Sequence, residues 1–232
     1  MLVLFDIDGT LLSTNNAGRE AMVRAGQGMF GSGFNANGVE FSGRLDPLII
    51  HDLLTANGVG DASRADRETF ADQYRRILEH TLSESPAQTL PGVYELLDQV
   101  QRRDAWTMGL LTGNFEASGS VKLRSAGIDP SRFPVRVWGD LSPYDPPARD
   151  HLPPVGLEQF EACRGRRLPP EQAVIIGDTP HDIACGRAHG LRTIAVATGR
   201  FGRDELDHAD LVLDTLEATE TVLDWLSLGE TG

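Results

Sequence analysis

At 232 residues the chain is long enough for one sizeable core plus a smaller appendage. Its 21 basic residues against 34 acidic ones leave a net charge of −13, which excludes the basic footprint that nucleic acid requires. No apolar run is long enough to span a bilayer, and two cysteines with no CxxC pair are too few for a disulfide framework, so neither a membrane partner nor an oxidising compartment is expected.

The chain opens on Leu2-Val3-Leu4-Phe5, a strand pattern that stops at Asp6-Ile7-Asp8-Gly9-Thr10. A buried strand that ends at an acid puts that acid on the carboxyl edge of a sheet, where open α/β folds keep their active sites. Two carboxylates at i and i+2 repel unless a positive charge sits beside them, and a divalent cation is the usual answer. Asp6 arrives too early for a signal peptide, so the expected location is the cytoplasm. From about residue 13 to about residue 85 there is no convincing strand. Helices are predicted over 17–27, 47–56 and 64–82, and in the last of these Phe70, Tyr74, Ile77, Leu78 and Leu82 make one apolar face. Gly26-Gln27-Gly28-Met29-Phe30-Gly31 satisfies GxGxxG, but it follows a helical stretch and not a strand, so it is expected to be a flexible loop and not a dinucleotide site. Phe41 to Asp46 form a polar turn ahead of a helix that opens with Pro47. Hinges are expected at 12–16 and 83–89.

Beyond Pro91-Gly92, where Pro stands at a favourable early helix position, strands and helices alternate. A helix over 92–102 leads to a strand over 108–111 that ends in Thr112-Gly113-Asn114. A helix over 117–126 carries Lys122, the only lysine. A strand over 135–138 precedes a polar, Pro-rich loop containing Arg149. A helix over 156–163 leads to a strand over 174–176, which ends in Gly177-Asp178-Thr179-Pro180-His181-Asp182. A helix over 182–188, strands over 193–197 and 211–213, and a helix over 217–226 complete the chain. This alternation predicts an α/β fold: a Rossmann-like, doubly wound parallel sheet with helices on both faces and an inserted helical unit.

DxDGT at Asp6–Thr10, Thr-Gly-Asn after the second strand and GDxxxD from Gly177 to Asp182 stand in fixed order at strand ends. In this, over nearly its whole length, the chain resembles the haloacid-dehalogenase (HAD) superfamily of aspartate-nucleophile phosphohydrolases, and phosphoglycolate phosphatases among them. The resemblance implies a catalytic core of residues 1–12 and 89–232 and a C1-type α-helical cap of residues 13–88. It assigns Asp6 as the nucleophile and Asp8 as the acid that protonates the leaving group and later serves as base. Thr112, with the backbone of Gly113 and Asn114, would hold the phosphoryl oxygens. Asp6, Asp8 through its backbone carbonyl, and Asp178 would ligate Mg²⁺, whose preference for oxygen donors fits. Asp182 would support the metal site, or serve only as a helix N-terminal acid.

The family's third motif is normally a lysine, and here the chain departs from the pattern. Three residues compete. Arg149 stands in the usual place ahead of a helix and offers a bidentate guanidinium. Lys122 has the right chemistry but lies roughly 9 Å along its helix, where it is expected to be solvated. His151 is the third; Arg149 would otherwise pair only with Asp145 or Asp150. Arg44, in the turn before Pro47, resembles the cap-loop substrate contacts of C1 phosphatases, or is a solvated residue of a capping turn. The remaining histidines lack zinc-ligand spacing, with His181 expected to be exposed, and Cys185 is expected in the core.

The resulting expectation is a Mg²⁺-dependent phosphatase of a small phosphorylated metabolite, acting through an aspartyl-phosphate, as a monomer or homodimer. Asp8 argues against carbon–halogen cleavage. A phosphosugar mutase, which would form an isomer instead of releasing phosphate, is the enzyme rival. A non-catalytic regulator that keeps the fold is the rival from another class; the loss of Asp6 or Asp178 would be its signature, and both are present.

Overall fold

The computed structural model describes residues 1–228. In chain order the elements are β1 (Leu2–Phe5), β2 (Leu12–Ser13), α1 (Ala17–Phe30), α2 (Asp46–Ala56), α3 (Arg64–Glu84), β3 (Gln88–Thr89), α4 (Val93–Gln101), β4 (Thr107–Leu111), α5 (Glu116–Ser125), β5 (Val135–Val137), α6 (Leu152–Arg164), β6 (Ala173–Gly177), α7 (Pro180–Ala188), β7 (Arg192–Val196), β8 (Leu211–Leu213) and α8 (Thr219–Ser227). Six strands form one parallel sheet in the order β5-β4-β1-β6-β7-β8.

The sheet is built outward from β1. Its four residues are fully buried, and they alternate between two cores. Val3 and Phe5 face Leu96, Leu97 and Val100 of α4, Leu123 of α5 and Val222 of α8. Leu2 and Leu4 face Leu152 and Phe160 of α6 and Cys185 of α7. A strand covered on both faces must be apolar at every position, and Leu-Val-Leu-Phe is. The chain winds from β1 through β4 to β5 on one side and through β6, β7 and β8 on the other. That change of direction opens the carboxyl edge around β1, β4 and β6.

The three helices α1, α2 and α3 lie between β1 and the rest of the sheet. Their apolar faces, including Met22, Ile49, Leu53, Phe70, Tyr74 and Leu78, join the same core as Val3 and Phe5. The expected flexible loop at the GxGxxG match is instead the last turns of α1. Gly26 and Gly28 are helical, and Gly26 is where the ring of Phe34 packs against the helix. The two expected hinge segments contain a short antiparallel ribbon, Leu12–Ser13 against Gln88–Thr89, that the residue pattern does not disclose. Pro91 lies outside α4. Gly92 precedes that helix at φ 81°, and a Cβ there would collide with the backbone at Leu216 and Glu217. The helix expected from residue 156 begins at Leu152, because Pro153 and Pro154 occupy first-turn positions that need no N–H donor.

Candidate active site

Asp6 continues the β1 ladder by one residue, its N–H donating to Ile176 O at 2.9 Å. The chain then turns sharply, with the N–H groups of Leu11 and Leu12 both donating to Ile7 O. Gly9, at φ 78°, is the pivot of this turn, and a Cβ on it would overlap the Asp178 carboxylate. The loops after β6 and β7 close on that turn. Thr10 Oγ1 donates to Asp178 Oδ1 at 3.3 Å, and Thr198 Oγ1 donates to Gly9 O at 2.5 Å. Asp6, Thr112 and Asp178, each at the end of its strand, thus line one cavity of about 500 Å³.

Two buried cations serve different acids. The Arg149 guanidinium is buried, 3.3 Å from Asp6 Oδ1, and also pairs with Asp182 Oδ1. Its partners are therefore not Asp145 or Asp150. A third bond runs from its Nη1 to Gly43 O at 3.2 Å. Asp182 is a helix-terminal acid that also meets Arg149 through its other oxygen: its Oδ2 accepts from the N–H and hydroxyl of Thr179, at 3.1 and 2.6 Å, in the capping box of α7. His151 is engaged locally, its Nδ1 with Ser142 and with the Ala148 N–H.

Lys122 is not the solvated residue that its helix position suggests. It is buried, with Nζ 2.6 Å from Asp8 Oδ2 and 2.6 Å from Asn114 Oδ1. Asn114 Nδ2 donates to the same Asp8 oxygen and to Thr112 Oγ1, both at 2.8 Å. Burial alone would lower the Lys122 pKa, but Asp8, Tyr74 and Asp46 nearby raise it on balance, which keeps the ammonium charged. His181 is exposed and Cys185 buried, as expected.

The acids are electrostatically frustrated. Asp6 is pushed up to about 7, by burial above all, with Asp182 and Asp8 adding to the rise and Arg149 opposing it. Burial and the neighbouring Asp6 and Asp182 push Asp178 well above the carboxylate range. Carboxylate oxygens of Asp6, Asp178 and Asp182 lie within 4.8 Å of one another. An all-oxygen cluster of buried acids in mutual repulsion has the chemistry of a hard divalent cation site. Both Asp182 oxygens are already hydrogen-bonded, which leaves Asp6 and Asp178 as the side chains that fit such an ion best.

The inserted helices contribute directly. Arg44 lines the cavity with its Nη2 on Asp52 Oδ2 at 2.6 Å and its buried Nε without a partner among the described residues. Asp46 is a site-adjacent residue that the sequence reading missed. Its N–H donates to Gly113 O at 2.7 Å, and its Oδ2 accepts from Phe115 N–H at 3.0 Å and Ser118 Oγ at 2.9 Å. Phe115 is the N-cap position of α5 and offers no side-chain cap of its own, so Asp46 of α2 caps α5 from another element. The only signal in the sequence is an apolar residue standing where a cap is wanted.

A family described as HAD-hydrolase-like matches residues 155–219. The pyrophosphatase PpaX of Oceanobacillus iheyensis is 25% identical over 223 residues, covering 95% of each chain. The probable phosphatase IndB of Dickeya dadantii is 27% identical over 220 residues, covering 92% of this chain and 89% of that one. Among solved structures, β-phosphoglucomutase from Clostridium difficile superposes with a TM-score of 0.72 at 16% identity, covering 100% of this chain and 99% of the other. These sequence likenesses are to hydrolases and phosphatases of the HAD superfamily. The HAD fold accounts for the site's location, since its acids fall at the carboxyl ends of β1 and β6 around the point where the sheet changes direction.

Proposed function

We propose that this protein is a Mg²⁺-dependent phosphatase of a small phosphorylated metabolite, working through an aspartyl-phosphate on Asp6. The observation that carries the reading is the pairing of Asp6 and Asp8, which line one cavity, with different cations. Asp6 stands against Arg149, and Asp8 is held by Lys122 and Asn114. Two carboxyls two residues apart are thereby given separate environments, as two separate roles demand. Relatives named as phosphatases support the same chemistry.

In this reading the Asp6 carboxylate attacks phosphorus, and the ester P–O bond breaks as Asp8 gives its proton to the leaving oxygen. Water then attacks the acyl-phosphate, losing a proton to Asp8, and Asp6 is regenerated. The Thr112 hydroxyl and Arg149, both lining the cavity, stabilise the charge gathered on the phosphoryl group. A bound Mg²⁺, held by Asp6 and Asp178, would neutralise these acids and polarise the phosphoryl oxygens. Residues 13–88 act as a cap over a core of residues 1–12 and 89–232. The Leu12–Ser13/Gln88–Thr89 ribbon is its neck, and Gly43, Arg44 and Asp46 are its contacts with the site. Two unpaired cysteines, one of them exposed, suit the cytoplasm.

The test is a phosphate-release screen over phosphorylated metabolites with Mg²⁺. Release of inorganic phosphate from at least one monoester is expected. Conversion to a phosphorylated isomer with no release would identify a mutase instead, and inactivity across the screen would count against an enzyme of this class.

A further inference from the structure

Lys122 does not touch the nucleophile. Its ammonium, with the side chain only 7% exposed, is committed to Asp8 Oδ2 and Asn114 Oδ1 at 2.6 Å each. Asn114 Nδ2 donates to that same Asp8 oxygen at 2.8 Å. Two donors therefore converge on Oδ2, while Oδ1 takes no hydrogen bond among the described residues. The Asp8 side chain is 41% exposed and lines the cavity. Asn114 is itself braced by Thr112 Oγ1 at 2.8 Å, at the end of β4. The carboxyl is clamped on one oxygen and open on the other, a far tighter arrangement than a surface ion pair gives.

We propose that Lys122 is a positioning residue for Asp8: together with Asn114 it pins Oδ2, so that Oδ1 alone faces the leaving oxygen and later the attacking water. This rests on the phosphatase reading above. In the first half-reaction the Oδ1–H bond breaks as the ester oxygen takes the proton, while the P–O bond to Asp6 forms and the P–O bond to the alcohol breaks. In the second, a water O–H bond breaks and its proton passes to Oδ1. The water oxygen bonds to phosphorus, and the P–O bond to Asp6 breaks. Proton transfer needs hydrogen-bond reach and alignment at both steps, so a carboxyl free to rotate loses much of its worth. The two buried cations thus divide their work: Arg149 answers to the nucleophile, and Lys122 to the acid–base group.

The discriminating experiment compares wild type with Lys122→Met on two esters, p-nitrophenyl phosphate and a primary alkyl phosphate that the wild type turns over. Nitrophenolate leaves without a proton, but hydrolysis of the acyl-phosphate still needs Asp8. Lys122→Met should therefore show a burst of nearly one nitrophenolate per site followed by slow turnover. On the alkyl ester it should show no burst and a kcat lower by roughly 10²–10⁴-fold. Added to Asp8→Asn, the same substitution should cost little more in kcat, because the group it positions is already gone. Equal losses on both esters without a burst would mean a merely structural lysine and overturn the proposal. So would a raised KM at unchanged kcat, the mark of a substrate-binding cation. If Lys122→Met does not fold, Lys122→Gln keeps a donor at the site but draws it back from Oδ2, and it is judged by the same split. If the wild type turns over neither ester class, the phosphatase reading falls, and this inference with it.

Discussion

Arg149 is the residue on which the charge balance of the site turns. Its guanidinium stands between Asp6 and Asp182, all three side chains less than a tenth exposed. Breaking a buried pair leaves an uncompensated charge and costs about 3–5 kcal/mol. Arg149→Ala should therefore lower both stability and turnover, measured by denaturant unfolding and by kcat. Arg149→Lys keeps the charge but cannot fork to two carboxylates and a carbonyl, so it should recover stability only in part. Full recovery would show that charge alone matters there. Asp6, Asp8, Thr112 and Asp178 were legible in the sequence because each follows an apolar strand, and a strand end fixes where its next residue lies. Lys122 was not legible in the same way. The rise per residue places its Cα well along α5, but helical side chains lean toward the N-terminus, and a long one spans the remaining distance to Asp8.

At the level of elements, the docking of α2 onto α5 is the contact most open to test. Asp46 is pushed up to about 6 from 3.8, chiefly by burial, while Lys122 and the bonds from Phe115 and Ser118 pull the other way. A carboxyl whose pKa is raised in the folded state keeps a proton there that the unfolded chain has already lost. Its contribution to stability is thus favourable at low pH and erodes as pH rises from about 4 to about 6. The loss is on the order of 3 kcal/mol for two pH units of displacement. Asp46→Asn has no such titration, so the stability difference between variant and wild type should move in the variant's favour as pH rises from about 4 to 7. A difference that stays flat across that range would show that Asp46 is not held in a low-dielectric contact with α5. The main sheet and its helices were legible from alternation, since buried strands and amphipathic helices write distinct periods. The ribbon of β2 and β3 was not, because two residues carry no period, and Asp46 was not, because a cap supplied from another element leaves no local pattern.

Over the whole molecule, a chain of net charge −13 gathers Arg149 and Lys122, both buried, around its acids and still leaves Asp6 and Asp178 with strongly raised pKa values. A divalent cation would relieve that repulsion and should therefore bind the folded state selectively. Mg²⁺ at about 100 times its Kd should stabilise the protein by about 2.7 kcal/mol, seen as a rise in Tm. Asp178→Asn should remove most of that shift. Chelator-treated protein should lose phosphatase activity and recover it with Mg²⁺; full activity in chelator would refute the metal site.

The central role in the proposed reaction is that of Asp6 as nucleophile. During turnover with Mg²⁺, rapid acid quench followed by borohydride reduction converts an aspartyl-phosphate to homoserine, which peptide mass spectrometry locates. The result expected is homoserine at position 6 in the wild type, with Asp6→Asn folded, inactive and unlabelled. Phosphate release with no modification at position 6, or an Asp6→Asn variant that turns over as fast as wild type, would contradict it.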